Sequence, residues 1–117
     1  MKLVSWNCRG LGNPSKIEAV KDLLKASPLD ILMLQETKIE GQALLEISKK
    51  KWNKSSGKAV SARGTSGGLS TLWTEDLFLL NKYYETQHWI YTELQHKASK
   101  FSISLCNLYV PVSYAEK

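Results

Sequence analysis

Apolar and polar positions change their period part-way along this chain. Over Lys2–Asn7 they alternate, and Gly10 and Gly12 follow, which predicts a first strand and a turn. Asn13-Pro14 then offers a helix cap with proline at the first helical position. Ile17, Val20, Leu23 and Leu24 recur at helical spacing, and Ser27-Pro28 ends the run. Leu29–Gln35 is almost continuously apolar, the pattern of a strand covered on both faces. A second, weaker helix fits Gly41–Trp52, with Leu44, Leu45 and Ile47 facing inward, and Asn53–Lys58 reads as a polar loop. Beyond it the texture is that of strands. Ala59–Arg63 and Leu69–Trp73 flank Gly64-Thr65-Ser66-Gly67-Gly68, and Leu77–Tyr84, Trp89–Gln95 and Phe101–Tyr109 follow. Two helices and about seven strands, β-α-β first and a meander after, predict an α/β or α+β fold with a mixed sheet.

Composition narrows the class. The 117 residues fit one domain, and 43% hydrophobic with 23% charged residues is ordinary for a globular protein. The apolar runs Ile31–Leu34 and Leu77–Leu80 are far shorter than the roughly 18–20 residues a membrane helix needs, and Met1–Asn7 has no apolar signal region. Cys8 and Cys106 form neither a disulfide framework nor a zinc spacing, so both are expected as reduced, buried thiols of an intracellular protein.

The net charge of +5 is uneven. Residues 1–58 hold 11 Lys+Arg against 6 Asp+Glu, and residues 59–117 hold 5 against 5. Lys49, Lys50, Lys51, Lys54 and Lys58 form a stretch free of acids, which is either a solvated face or a phosphate contact.

Four features carry candidate chemistry. Asn7 closes the first strand and Glu36 the most apolar one. Ser66-Gly67-Gly68 opens a strand, and Asn107, Tyr109 and Pro111 close the last. Polar groups at strand ends beside loops are where α/β sheets assemble sites. If the first and third of these strand ends are neighbours, a carboxylate and a carboxamide share a pocket suited to a hydrated Mg²⁺. Each also has an ordinary explanation: Glu36 as a surface acid, Asn7 as a turn cap, Tyr109 as an edge residue with its hydroxyl in water.

At these same residues the chain resembles the endonuclease/exonuclease/phosphatase superfamily. Ser5-Trp6-Asn7, Leu34-Gln35-Glu36-Thr37-Lys38, Ser66-Gly67-Gly68 and Asn107-Leu108-Tyr109-Val110-Pro111 match its order and gaps. Ser5–Gly12 and Tyr109–Lys117 look most like the apurinic-type endonuclease domain of plant non-LTR (LINE-type) retrotransposons. Arg9 and Val112 depart from abasic-site repair enzymes, which carry an acid and usually an asparagine there.

The resemblance implies the N-terminal portion of a four-layer α/β sandwich, with the C-terminal half absent. It implies Mg²⁺ or Mn²⁺ held by Glu36 with Asn7, a phosphate contact from Tyr109, and Asn7, Glu36 and Tyr109 as the catalytic set. The partner is then DNA, with RNA as the alternative, and no membrane or small-molecule cofactor. Arg9, Lys38, Lys49, Lys50 and Lys51 are the nucleic-acid-binding candidates. A nuclear location and a reverse-transcriptase region in the intact parent follow from the same resemblance. No G-D-x-N or S-D-H motif occurs, and His88 and His96 resemble nothing catalytic, so the chain alone is expected to be inactive. Other superfamily substrates (an RNA tail, an inositol phosphate, a lipid) remain open, as does a non-catalytic basic fragment. Half of a two-sheet sandwich is also expected to leave an inner sheet face unpartnered, with Trp6, Leu32, Leu34, Leu72, Trp73, Phe101, Ile103 and Leu105 as candidates for its two faces, and hence to self-associate.

Overall fold

The computed structural model describes residues 1–11, 14–26, 29–52, 54–62 and 67–109. The capping expectations at Asn13 and Ser27-Pro28, the turn at 63–66 and the motif from Val110 onward lie outside the described residues. So do the side chains of Leu23, Leu24, Ile47, Lys49, Lys50 and Lys51.

The elements run β1 (Leu3–Asn7), α1 (Pro14–Ala26), β2 (Ile31–Gln35), α2 (Gly41–Lys51), β3 (Ser55–Val60), β4 (Leu69–Thr74), β5 (Phe78–Glu85), β6 (Trp89–His96) and β7 (Ser102–Leu108). They form a mixed four-stranded sheet, β1-β2-β4-β3, and an antiparallel three-stranded sheet, β5-β6-β7. β1 runs parallel to β2 through the α1 crossover, and β4 runs antiparallel to both of its neighbours. This is the predicted α/β pattern with a mixed sheet.

The near-continuous apolar run of β2 serves two cores because successive side chains point to opposite faces. Leu32 and Leu34 join Cys8, Leu11, Leu29, Leu44 and Leu72 on the helix side, with Val20 of α1 and Leu45 of α2 packed against them. Ile31 faces the other way and packs with Trp73, Phe78, Leu94 and Leu105 between the two sheets. Fully burying one such aliphatic side chain contributes roughly 1.5–3 kcal/mol.

Four expectations need correction. The polar stretch through Lys58 is a strand from Ser55 onward. β3 is an edge strand paired with β4 alone, so polar residues can face solvent, and Gly57 opposite Leu72 leaves room for close approach. A Cβ on Gly57 would stand 2.7 Å from the Thr71 carbonyl oxygen. That same strand ends at Val60, so only Ala59 and Val60 of the expected strand Ala59–Arg63 belong to it, and residues 61–62 do not.

The inner sheet face is not left bare: Ile31 and Trp73 meet Phe78, Leu94 and Leu105 of the second sheet. The meander supplies the missing layer, so the premise for strong self-association fails for most of that face. Trp6, Leu32, Leu34 and Leu72 lie on the helix side, Trp73, Ile103 and Leu105 between the sheets, and Phe101 is exposed outside β7. Finally, Cys106 is exposed, because on β7 the inward positions are Ile103, Leu105 and Asn107. Cys8 is buried as expected.

Candidate active site

The two sheets are unequal, and the inequality makes a cleft. β7 packs over β2 and β4, and β1 has no such cover. Leu3, Ser5 and Asn7, in register with Ile31, Met33 and Gln35 on the side facing the second sheet, are therefore exposed. Beside the free edge of β7 this surface forms an open depression of about 420 Å³. Asn7 from β1, Glu36 following β2 and Tyr109 following β7 all line it, with Gln35 and Asn107 also among its walls. The parallel pairing of β1 and β2 brings Asn7 and Gln35 side by side, so Glu36 emerges at the same end of the sheet.

The floor is a hydrogen-bonded amide network that ties the sheets together. Gln35 Nε2 donates to Asn107 Oδ1 at 2.8 Å and to Ser5 Oγ at 3.0 Å. Asn107 Nδ2 donates to the Ser70 carbonyl at 2.9 Å and lies 3.3 Å from both the Leu34 carbonyl and Thr71 Oγ1. Asn107 is fully buried, so these partners offset the desolvation of its amide.

Beyond the strand ends the backbone is strained. Arg9, Glu36 and Lys38 have φ of 51°, 52° and 57°. For residues with a Cβ each such conformation costs on the order of 1–3 kcal/mol and persists only where the surroundings enforce it. Here they do. Gly10 N–H donates to the Glu36 carbonyl at 2.7 Å and Leu11 N–H to the Thr37 carbonyl at 2.8 Å. On the other flank Thr37 N–H donates to Gly68 O at 3.1 Å and Lys38 N–H to Gly67 O at 2.8 Å. Tyr109 is fixed by its own N–H, which donates to His88 O at 2.8 Å, and its ring lies 6.4 Å from that of His88. His88 thus stands beside a site residue, a neighbourhood its flanking sequence did not suggest.

Basic groups flank Glu36 at this end. Arg9 and Lys38 are exposed on the two loops, and Lys16 Nζ donates to the Cys8 carbonyl at 3.1 Å. Lys16 escaped sequence reasoning because its proximity depends on how α1 returns over β1. The lysine run lies elsewhere: α2 carries the backbone of Lys49–Lys51 toward the start of β3, where Ser55 pairs with Thr74, opposite the end where Gln35 pairs with Leu69. Lys54 is paired with Asp76 there, and Lys58 Nζ sits 4.0 Å from the centre of the Tyr83 ring. Burial pushes the Cys8 thiol above its usual pKa, which favours the protonated form.

A divalent cation fits this donor set in one form. Among the described residues no three His, Cys, Asp or Glu side chains cluster, so a metal caged by several protein ligands is not built here. One carboxylate, Glu36, and one carboxamide, Asn7, in an open polar cleft match a cation that keeps most of its waters, as Mg²⁺ does. Asn7 Oδ1 also accepts the Arg9 N–H at 3.3 Å, which orients the carboxamide.

The family model for the Endonuclease/Exonuclease/phosphatase family matches residues 4–111. The chain belongs to this family. No curated protein matches it significantly by direct sequence comparison. Among solved structures it is similar to AP endonuclease LMAP from Leishmania major (18% identity, TM-score 0.70), covering 93% of this chain and 40% of that one. It is similar to the catalytic domain of Xenopus laevis APE2 at 18% identity and TM-score 0.69, covering 100% of this chain and 47% of that chain. A Bacteroides thetaiotaomicron mannosyl-6-phosphatase aligns at 12% identity and TM-score 0.70, covering 91% and 50%. The chain therefore spans about half the length of these structures or less, and at such identities they establish the fold alone. Among the described residues no helix is long and apolar enough to cross a membrane.

Proposed function

We propose that the chain is the N-terminal portion of a divalent-metal-dependent phosphodiester hydrolase, an endonuclease that nicks DNA, of the retroelement type. The observation that carries this reading is the convergence of Asn7, Glu36 and Tyr109 on one open cleft between exposed Arg9 and Lys38. In this reading Glu36 and Asn7 would hold Mg²⁺ or Mn²⁺, which would supply positive charge against the phosphate oxygens. Arg9 and Lys38 draw the polyanion to the strand ends. The Tyr109 hydroxyl donates to a phosphate oxygen, and its ring, backed by the β7 terminus, fixes the approach of the strand.

The retroelement assignment rests on the Ser5–Gly12 and Tyr109–Lys117 sequences. Residues that orient and deprotonate the attacking water belong, on this reading, to the portion of the fold outside these 117 residues, so the chain alone does not nick DNA.

The test is a chimera joining this chain to the C-terminal half of a relative, assayed on supercoiled plasmid, a phosphomonoester and a lipid phosphoester. Metal-dependent nicking that falls by roughly 10²–10³ in Glu36→Gln supports the proposal. Hydrolysis of the other substrates with intact plasmid replaces the endonuclease by another phosphoesterase. Salt-sensitive DNA binding with no hydrolysis of any substrate leaves a binding fragment. Nicking by the pure 117-residue chain, abolished by chelator, overturns its dependence on a second half.

A further inference from the structure

Glu36 stands in a backbone conformation that a glutamate does not adopt unforced, and what forces it comes from an element with no functional side chain of its own. The Gly67–Gly68 turn, immediately before β4, offers two consecutive carbonyls to the amides of Thr37 and Lys38, the two residues after Glu36. Both glycines have positive φ, 78° and 92°, which lets both carbonyls face the same loop. A Cβ on Gly68 would overlap the Thr37 hydroxyl and stand 3.0 Å from the Lys38 amide nitrogen. Thr37 is fully buried, and its Oγ1 has no hydrogen-bond partner. The approach is thus close enough that a hydroxyl goes unsatisfied beneath it, a cost of about 1–3 kcal/mol that sheet stability alone does not require. The same turn meets a second member of the site: a Cβ on Gly67 would lie 3.7 Å from Cε2 of the Tyr109 ring.

We propose that the Gly67–Gly68 turn is the positioning element of the site, holding Glu36 in its left-handed conformation through Thr37 and Lys38 and setting the Tyr109 ring against the same turn. The inference rests on the reading of Glu36 as a metal ligand. From the β1 side Gly10 and Leu11 bond the loop at the carbonyls of Glu36 and Thr37, and the Cys8 thiol adds a long contact of 3.8 Å to the Glu36 carbonyl. If the second flank is released, φ at Glu36 relaxes to a negative value and its side chain swings away from Asn7.

The test follows Mn²⁺-induced broadening of amide signals in the isotope-labelled 117-residue chain. In the parent, broadening centres on Asn7, Glu36 and Tyr109 and is relieved by Mg²⁺. In Gly68→Ala the Mn²⁺ concentration that halves the Asn7 signal rises by about tenfold or more, a loss typical of groups that orient metal ligands. Amide shifts across β5 and β6 stay as in the parent, which a general loss of structure would not allow. Adding Thr37→Ala to Gly68→Ala removes the overlapping hydroxyl and recovers part of the loss. Gly67→Ala, whose new methyl meets only ordinary contact distance, costs about threefold through its strained φ alone. This milder variant decides the matter if Gly68→Ala does not fold. Folded Gly68→Ala or Gly67→Ala with a parental Mn²⁺ titration overturns the proposal. Parental broadening in Glu36→Gln is a different result: it removes the metal-ligand reading, and the positioning role falls with it.

Discussion

The two ends of the four-stranded sheet are made from the same strands and built to different standards. At the Lys2–Thr74 end of this sheet no described residue has a positive φ. Asp30 N–H donates to the Lys2 carbonyl, Thr74 N–H to the Asp30 carbonyl and Glu75 N–H to the Lys54 carbonyl, all within 3.0 Å. An exposed Lys54–Asp76 pair adds a surface contact at 3.1 Å. At the Asn7–Gln35 end, three of the four described non-glycine residues with positive φ sit on two adjacent loops. The space between the sheets also changes there from Ile31, Trp73 and Phe78 to Gln35, Asn107 and Thr71. A sheet end that only needs closing is cheaply closed. The strained end aligns a carboxylate, a carboxamide and a phenol, and the packed apolar end makes that strain sustainable.

Substitutions should separate the two ends. Trp73→Ala empties the inter-sheet core near the regular end and should cost about 3–5 kcal/mol of stability, measured by denaturant unfolding. The surviving folded fraction should still show Mn²⁺ broadening at Asn7. Loss of the Mn²⁺ effect from folded molecules would mean the ends are coupled more tightly than the packing suggests. Asn107→Leu, at the other end, leaves Gln35 Nε2 and the Ser70 carbonyl short of partners and should cost about 1–3 kcal/mol. It should also loosen β7 over the cleft, so that Tyr109 broadens less than Glu36. Equal broadening at both would show that the amide network holds the sheets without placing Tyr109.

Two smaller effects sharpen the contrast. Thr37→Val removes an unsatisfied hydroxyl while keeping shape, so its thermal midpoint should equal or exceed that of the parent. A clear fall would reveal a partner, such as a buried water, for that hydroxyl. Asp76→Asn at the regular end should change stability by no more than about 0.5–1 kcal/mol, because both charges are exposed.

What the sequence makes legible follows from which signals are local. The periodicity of Ile17 and Val20 and the run from Ile31 to Gln35 depend on nearest neighbours, and α1 and β2 are found where those patterns place them. β3 was hidden because an edge strand needs no alternation, and Ser55-Ser56-Gly57-Lys58 has the composition of a turn. The second layer was hidden because face-to-face packing is a property of two sheets at once: the alternation in Ile90, Thr92 and Leu94 marks an inner face without naming what covers it. At the cleft, Asn7, Glu36 and Tyr109 were visible as polar groups closing strands. Asn107 was visible in the same way, but its bond with Gln35, 72 residues away, was not, nor were those of Gln35 to Ser5 and of Lys16 to Cys8, 30 and 8 residues away, which register and helix return fix. The left-handed φ of Glu36 has no sequence signature; Gly67-Gly68 was legible as a strand-opening motif, but its carbonyl contacts with Thr37 and Lys38 were not.

The central claim, that Asn7, Glu36 and Tyr109 form one metal-dependent phosphate site, is tested most directly by anomalous diffraction from crystals of the protein soaked in Mn²⁺. The account predicts a manganese peak in the cleft, ligated by Glu36 and adjacent to Asn7, and lost in Glu36→Gln. A manganese peak elsewhere on the molecule, with the Glu36 carboxylate free of metal, would contradict it.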